Sequence, residues 1–169
     1  MSSSDADTGL NNDLRWRFLA SAKNRLSQAY SIGEIVEVVR GTARSICGAD
    51  GVTFVLRDGD KCHYVEEDAI GPLWRGQKFP LASCISGWCM LNDKTVSIQD
   101  IYRDVRIPHD AYKPTFVKSL IMTPVRTNSP VAAIGAYWGE RRSFSGREKV
   151  ILEQLAESVG AAMLVAKAA

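Results

Sequence analysis

The stretch KSLIMTPVRTNSPVAAIGAYWG, residues 118–139, constrains the fold more than any other part of the chain. Two β-rich runs, KSLIMTPVR and PVAAIGAYWG, flank Thr-Asn-Ser, a turn composition. Neither run alternates apolar with polar residues, so neither offers a face suited to water. A sheet built on them must be covered on both sides.

The cover is supplied by the rest of the sequence. In DLRWRFLASAKNRLSQAY, Leu14, Phe18, Leu19, Ala22, Leu26 and Ala29 recur at helical intervals and predict an amphipathic helix from about residue 13. Ser31 with Glu34 forms a capping box for a second helix carrying Ile35, Val38, Val39, Ala43 and Ile46, which Gly48 ends. The period then changes: GVTFVLRDGDKCHYVEED reads as a hairpin turning at Asp58-Gly59-Asp60. After a looser FPL segment, CISGWCML suits a short helix and KTVSIQDI a strand, while IYRDVRIPHDAYKPTF is an irregular excursion broken by Pro108 and Pro114. Ser145 and Glu148 cap a last helix with the stripe Ile151, Leu152, Leu155, Val159 and Met163. The opening MSSSDADTGLNN has no apolar period and reads as a mobile tail over residues 1–12, leaving residues 13–169 as one domain.

Composition excludes several classes. The 21 basic and 19 acidic residues are interspersed, a formal charge of +2 with no basic patch, so no nucleic-acid footprint is expected. No apolar run approaches the ~18–20 residues of a membrane span and no hydrophobic signal core opens the chain, so a cytoplasmic location away from membranes is expected. Cys47, Cys62, Cys84 and Cys89 have irregular spacing, and reduced thiols are the default.

ISGW, TVSIQDI, RIPHDAY, KSLIMTPV, IGAYWG and SFSGREKVILEQLA each resemble the corresponding segments of GAF domains, over roughly residues 14–165. The longer wording SGWCMLNDKTVSIQDIYRDVRIPHDAYKPTFVKSL resembles GAF domains that precede bacterial sensor histidine kinases. The resemblance implies an α+β, GAF-like (PAS-related) fold: an antiparallel sheet with the amino- and carboxy-terminal helices on one side and short helices and loops on the other. It also implies a non-catalytic sensory role in two-component signal transduction, the domain binding a small molecule or relaying a signal through its terminal helices. Nothing after Phe144 matches a phosphoacceptor helix or an ATP lid, so no kinase activity is expected. The expected partner is a histidine kinase or other output domain, in the same longer chain or in trans.

A ligand pocket is expected between sheet and excursion, with Phe79, Cys84, Trp88, Ile101, Phe116 and Trp138 as its apolar lining and Ser86, His109, Tyr112 and Ser119 as its polar groups. The competing reading is a filled core. A metal at Cys84 and Cys89 would need His63 or His109 to converge from other segments. Five residues apart, the two thiols point to different faces of a regular helix and cannot share one pocket.

GAF relatives include an enzyme that reduces free methionine sulfoxide. Its central cysteine aligns near Ser86 and its later one near Tyr112, so both thiols are missing and Cys84 is the alternative nucleophile. Covalent bilin attachment in the phytochrome-like relatives uses a Cys-His dipeptide in the excursion. Here Pro108-His109 stands there and Cys62-His63 lies in an early strand, which disfavours a covalent bilin and leaves a non-covalent tetrapyrrole or haem on His109 as the alternative. Cyclic nucleotide is disfavoured because Phe144 and Glu148 have no matching Asn-Lys pair upstream. Finally, the two terminal helices suggest a parallel homodimer through Leu14, Phe18, Leu26, Leu155, Val159 and Met163.

Overall fold

The helical period of the first segment does form a helix, and it runs further back than the apolar stripe. In the computed structural model, which describes residues 3–168 and the side chains of residues 13–167, α1 spans Ser3–Ser27. The described part of the expected tail, from Ser3, is thus the opening turns of this helix. α2 spans Ile32–Cys47. The Ser31 hydroxyl accepts from the Glu34 amide at 3.1 Å, and the Glu34 carboxylate accepts from the Tyr30 amide at 2.6 Å, one residue earlier than a reciprocal capping box requires. Gly48 ends α2 in the left-handed conformation at φ 61°, as its position in the sequence predicts.

Beyond Gly48 come β1 (Gly51–Asp58) and β2 (Lys61–Ala69), joined at the expected Asp-Gly-Asp turn. A short β3 (Lys78–Pro80) and a 3₁₀ turn (Leu81–Ser83) lead into α3 (Ile85–Asn92). Then follow β4 (Val96–Ile98), the excursion with α4 (His109–Tyr112), β5 (Ser119–Arg126), β6 (Pro130–Trp138) and α5 (Gly146–Ala168). The strands make one six-stranded sheet in the order β3-β2-β1-β6-β5-β4, every pair antiparallel. Ser145 and Glu148 form the full capping box of α5, each backbone amide donating to the other's side chain.

The two-sided apolar character of β5 and β6 is used on both faces. Ile121, Val125, Ala132, Ile134 and Ala136 pack against α2 and α5. Leu120, Met122, Ala133 and Tyr137 pack against β2 residues, α3 and the excursion. Alternation along each strand therefore assigns residues to one of two cores.

That assignment corrects two of the expected pocket residues. Trp138 belongs to the helix-side core, its indole N–H donating to the Gly48 carbonyl at 2.9 Å. Ser119 lies opposite Trp138 in the β5–β6 register and donates its hydroxyl to the Glu140 carbonyl at 2.7 Å. Neither faces the excursion. The expected dimer set is corrected likewise: Leu26, Leu155, Val159 and Met163 are buried in the chain's own core, because the stripes of α1 and α5 close on α2 and the sheet. Leu14 and Phe18 stand outside it, 44% and 43% exposed.

Candidate functional site

The site lies on the excursion side of the sheet, where Tyr64, Trp74, Phe79, Cys84, Pro108, Ala111 and Tyr112 surround a cavity with a free volume of about 10 Å³. That is room for about one water molecule. Each wall has its own origin. Tyr64 and Cys62 are inward-facing neighbours on β2, two residues apart as strand geometry requires. Trp74 comes from a loop held by Glu67, whose carboxylate accepts from the amides of Leu73, Trp74 and Arg75 at 2.9, 2.8 and 2.7 Å. A carboxylate satisfied by three amides fixes a loop that has no periodic structure of its own. The Trp74 indole then donates to the Ala111 carbonyl at 3.0 Å, tying that loop to α4.

The aromatic rings meet at edges and tilts. Trp74 lies 4.6 Å from Tyr112 and 5.5 Å from Tyr64 and from Tyr137 between ring centroids, and Tyr64 lies 5.5 Å from Phe79. These separations favour offset and T-shaped ring contact. Tyr137 and Tyr64 satisfy their hydroxyls on Thr53 at 2.8 Å and on Ser86 at 2.9 Å. Tyr112 does not. Its hydroxyl is buried without a hydrogen-bond partner, and no other described side-chain nitrogen or oxygen is in that condition. Burial also holds the Tyr112 and Tyr64 phenols well above the usual tyrosine range, so both are neutral.

Cys84 is the N-cap residue of α3 and has an extended backbone, so its side chain turns away from the helix toward β2. Its Sγ lies 3.2 Å from Cys62 Sγ and 3.3 Å from the Ser86 hydroxyl. The hydrogen bond between Cys84 and Cys62, with Ser86 and the first amides of α3, holds the Cys84 thiol well below the usual cysteine range. The same hydrogen bond keeps the proton on Cys62, whose thiol is pushed up. Burial pushes Cys47 and Cys89 each up to about 12. Cys89 faces the opposite way from Cys84, its Sγ lying 3.6 Å from the Met122 carbonyl, as the five-residue spacing implies.

A family model described as GAF domain matches residues 29–163. The chain belongs to the GAF domain family. Among solved structures, it is similar to a free methionine-R-sulfoxide reductase from Neisseria meningitidis in complex with its substrate: 14% identity over 93% of this chain and 92% of that one, TM-score 0.80. It is similar to the GAF domain of a phosphoenolpyruvate-protein phosphotransferase from Coxiella burnetii, at 12% identity over 94% and 97% of the two chains, TM-score 0.79. It is also similar to a phycoerythrobilin-bound GAF domain from a cyanobacterial phytochrome, at 16% identity over 91% and 96%, TM-score 0.71. At such identities the likeness is one of fold. Comparison with curated protein sequences yields no match.

Within this GAF domain the expected pocket residues separate into groups. Phe79, Cys84 and Tyr112 line the cavity, and Ser86 stands behind it on Tyr64 and Cys84. Ile101 is buried in the surrounding core, with Phe116 and Trp88 packed against it, and the Arg106 guanidinium lies 4.3 Å from the Trp88 ring centroid. His109 is turned to the backbone: its Nε2 is 3.0 Å from the Ile101 carbonyl and 3.1 Å from that of Asp104. Two acceptors require the proton on Nε2, so the imidazole clamps the excursion. A tetrapyrrole or haem on His109 does not fit this arrangement, since that nitrogen is engaged and the cavity holds no more than a water. Among the described residues no three metal-ligand side chains come together, and no helix is long and apolar enough to cross a membrane.

Sequence reasoning passed over Tyr64, Trp74 and Cys62. The strand period in Lys61-Cys62-His63-Tyr64 carried a signal for the first and third. Nothing periodic pointed to Trp74, which is placed by Glu67.

Proposed function

We propose that this GAF domain is a signal-input module that binds a small molecule at the aromatic cavity and passes the change to its terminal helices. The observation that carries this reading is the Tyr112 hydroxyl, buried and unpartnered on a residue that lines the aromatic cavity. A buried hydroxyl without a partner costs about 1–3 kcal/mol, and a ligand atom that accepts its hydrogen bond recovers that cost on binding. One side of the cavity is the sheet and the loop fixed by Glu67; the other is α4 with Pro108, held chiefly by His109 and the Trp74 indole. A ligand displaces α4 and shifts the domain by its differential affinity for the open arrangement. A histidine kinase or similar output domain is the proposed recipient, in the same longer chain or in trans, and a cytoplasmic setting goes with it.

The test separates a binding group from a packing one. Tyr112→Phe is expected to raise unfolding stability of the ligand-free protein by about 1 kcal/mol, because it deletes an unsatisfied polar group. The same change is expected to weaken retention of a small molecule bound at the cavity about tenfold, the loss of one hydrogen bond. Denaturant melts and native mass spectra read the two effects. A Tyr112→Phe protein less stable than wild type would count against an unpartnered hydroxyl.

The homodimer belongs to this proposal in a revised form, built on the exposed Leu14 and Phe18 of α1. Phe18→Glu is expected to shift a sedimenting dimer to monomer; a species unchanged by it refutes this interface. A second reading is favoured by one observation, the 3.2 Å approach of Cys62 to Cys84: a thiol-dependent reductase of the free methionine sulfoxide type with Cys84 as nucleophile. Cys84→Ser separates the readings, since it abolishes any thiol-dependent turnover while leaving a sensory domain folded and binding.

A further inference from the structure

Four cysteines are present, and only two of them are neighbours. Cys62 on β2 and Cys84 at the cap of α3 come from segments separated by a loop, a strand and a 3₁₀ turn, yet their sulfurs are 3.2 Å apart. Both are free thiols in a buried setting. A disulfide has its sulfurs at about 2.05 Å, so closure asks for a sulfur movement of little more than 1 Å. Cys62 is fully enclosed, whereas Cys84 forms part of the cavity wall and is reached from it. That cavity, with a free volume of about 10 Å³, has room for a very small molecule and none for a bulky one.

We propose that Cys62 and Cys84 form a peroxide-responsive pair that closes to a reversible disulfide, fastening β2 to the start of α3. In the first step the Cys84 sulfur attacks one oxygen of hydrogen peroxide. The O–O bond breaks, the second oxygen leaves as hydroxide and takes a proton to become water, and the Cys84 sulfur is oxidised to the sulfenic acid. In the second step the Cys62 sulfur attacks the Cys84 sulfur. The S–O bond breaks, and the departing oxygen takes the Cys62 proton and leaves as water. Two thiols and one peroxide thus give one disulfide and two waters, and a dithiol reductant reverses the change.

The electrostatics assign the roles in this order. Cys84 caps the opening of α3 with the Ser86 hydroxyl 3.3 Å from its sulfur, and its hydrogen bond with Cys62, together with Ser86 and the first amides of that helix, supports its thiolate, so it is the attacking sulfur at neutral pH. Its oxidation rate rises with pH and levels off below the ordinary cysteine range of ~8.5. Cys47 and Cys89, pushed up to about 12 by burial, stay protonated under the same conditions. The proposal does not depend on turnover of a sulfoxide or on a ligand in the cavity.

The experiment uses the whole chain, reduced and freed of reductant without air, then exposed to hydrogen peroxide. Thiols are counted in denaturant, and the digest is mapped for cross-links by mass. The expected result is loss of two of the four thiols, a single Cys62–Cys84 link within one chain, and full recovery with dithiothreitol. Cys62→Ala is expected to stop at a sulfenic acid on Cys84 that dimedone traps, formed more slowly because the first support of that thiolate is gone; Cys84→Ala is expected to keep all its remaining thiols through the same exposure. Glutathione disulfide at equal concentration is expected to leave the pair reduced, since the cavity beside Cys84 has no room for a pair of linked tripeptides. Retention of all four thiols in the wild-type protein, or a link involving Cys47, Cys89 or a second chain, would overturn the proposal. Oxidation by glutathione disulfide as fast as by peroxide would overturn attack from the cavity side. The wild-type map decides the matter even if either variant fails to fold.

Discussion

Gly87→Ala is expected to destabilise the domain by about 3 kcal/mol or more, the range of a severe overpacking change. Gly87 sits in the first turn of α3, where the helix passes directly over the 3₁₀ turn at Leu81–Ser83. A methyl group at Gly87 would collide with the Leu81 carbonyl oxygen and stand 2.7 Å from Leu81 Cα. These are backbone atoms, so no rotamer change relieves the clash. Either α3 lifts from the sheet, opening the core around Ile85 and Cys89, or the 3₁₀ turn moves and takes Cys84 with it. Denaturant unfolding measures the loss. Because Cys84 stands between these two elements, the surviving folded fraction should also have lost the selective reactivity of that thiol.

Leu155→Ala is expected to cost about 3–4 kcal/mol, and to cost the same at every protein concentration. Leu155 is fully buried on α5 against α2 and the sheet. Truncating it leaves a cavity in the protomer's own core. Had it been an interface residue, its loss would act through the monomer–dimer equilibrium, and the apparent stability would depend on concentration. Unfolding at two concentrations a hundredfold apart distinguishes the two roles. A midpoint of the variant that shifts with concentration more than the wild type's would return Leu155 to the interface.

How far the sequence reaches can be seen in these same residues. The stripe holding Leu155, Val159 and Met163 identified a helix with one apolar face, and that helix is there. A stripe states that a face needs covering; it does not state whether the sheet below or a second chain covers it. Period-two reasoning met a similar limit at Ser119 and Trp138. In strands with one polar face, alternation reveals the direction of each side chain, but β5 and β6 are apolar on both faces and carry no such mark. The strands other than β3, which read as a looser segment, the hairpin turn, the caps at Ser31, Gly48 and Ser145, and the short helix at Ile85 were legible because each rests on local chemistry.

The cavity was legible only in part, for the complementary reason. Phe79, Cys84 and Tyr112 were reachable from the segments that flank α3 and α4. Trp74 depends on three amide bonds to Glu67, and the meeting of Cys62 with Cys84 depends on the β2–β3 register that sets Cys62 opposite Phe79. Such contacts are between segments, and spacing within one segment carries no record of them. The histidine's role changed similarly. His109 looked like a ligand-binding group in a proline-rich excursion, but two carbonyls of that excursion occupy its Nε2.

The central claim, that the aromatic cavity receives a small molecule at Tyr112, is tested most directly by mass. The protein and its Tyr112→Phe variant are purified side by side, exposed to a small-molecule extract, and weighed under native and then denaturing conditions. The account predicts an adduct on the wild-type protein that is lost on denaturation and is about tenfold depleted on Tyr112→Phe. Bare masses from both proteins, or an adduct retained equally by the variant, would contradict it.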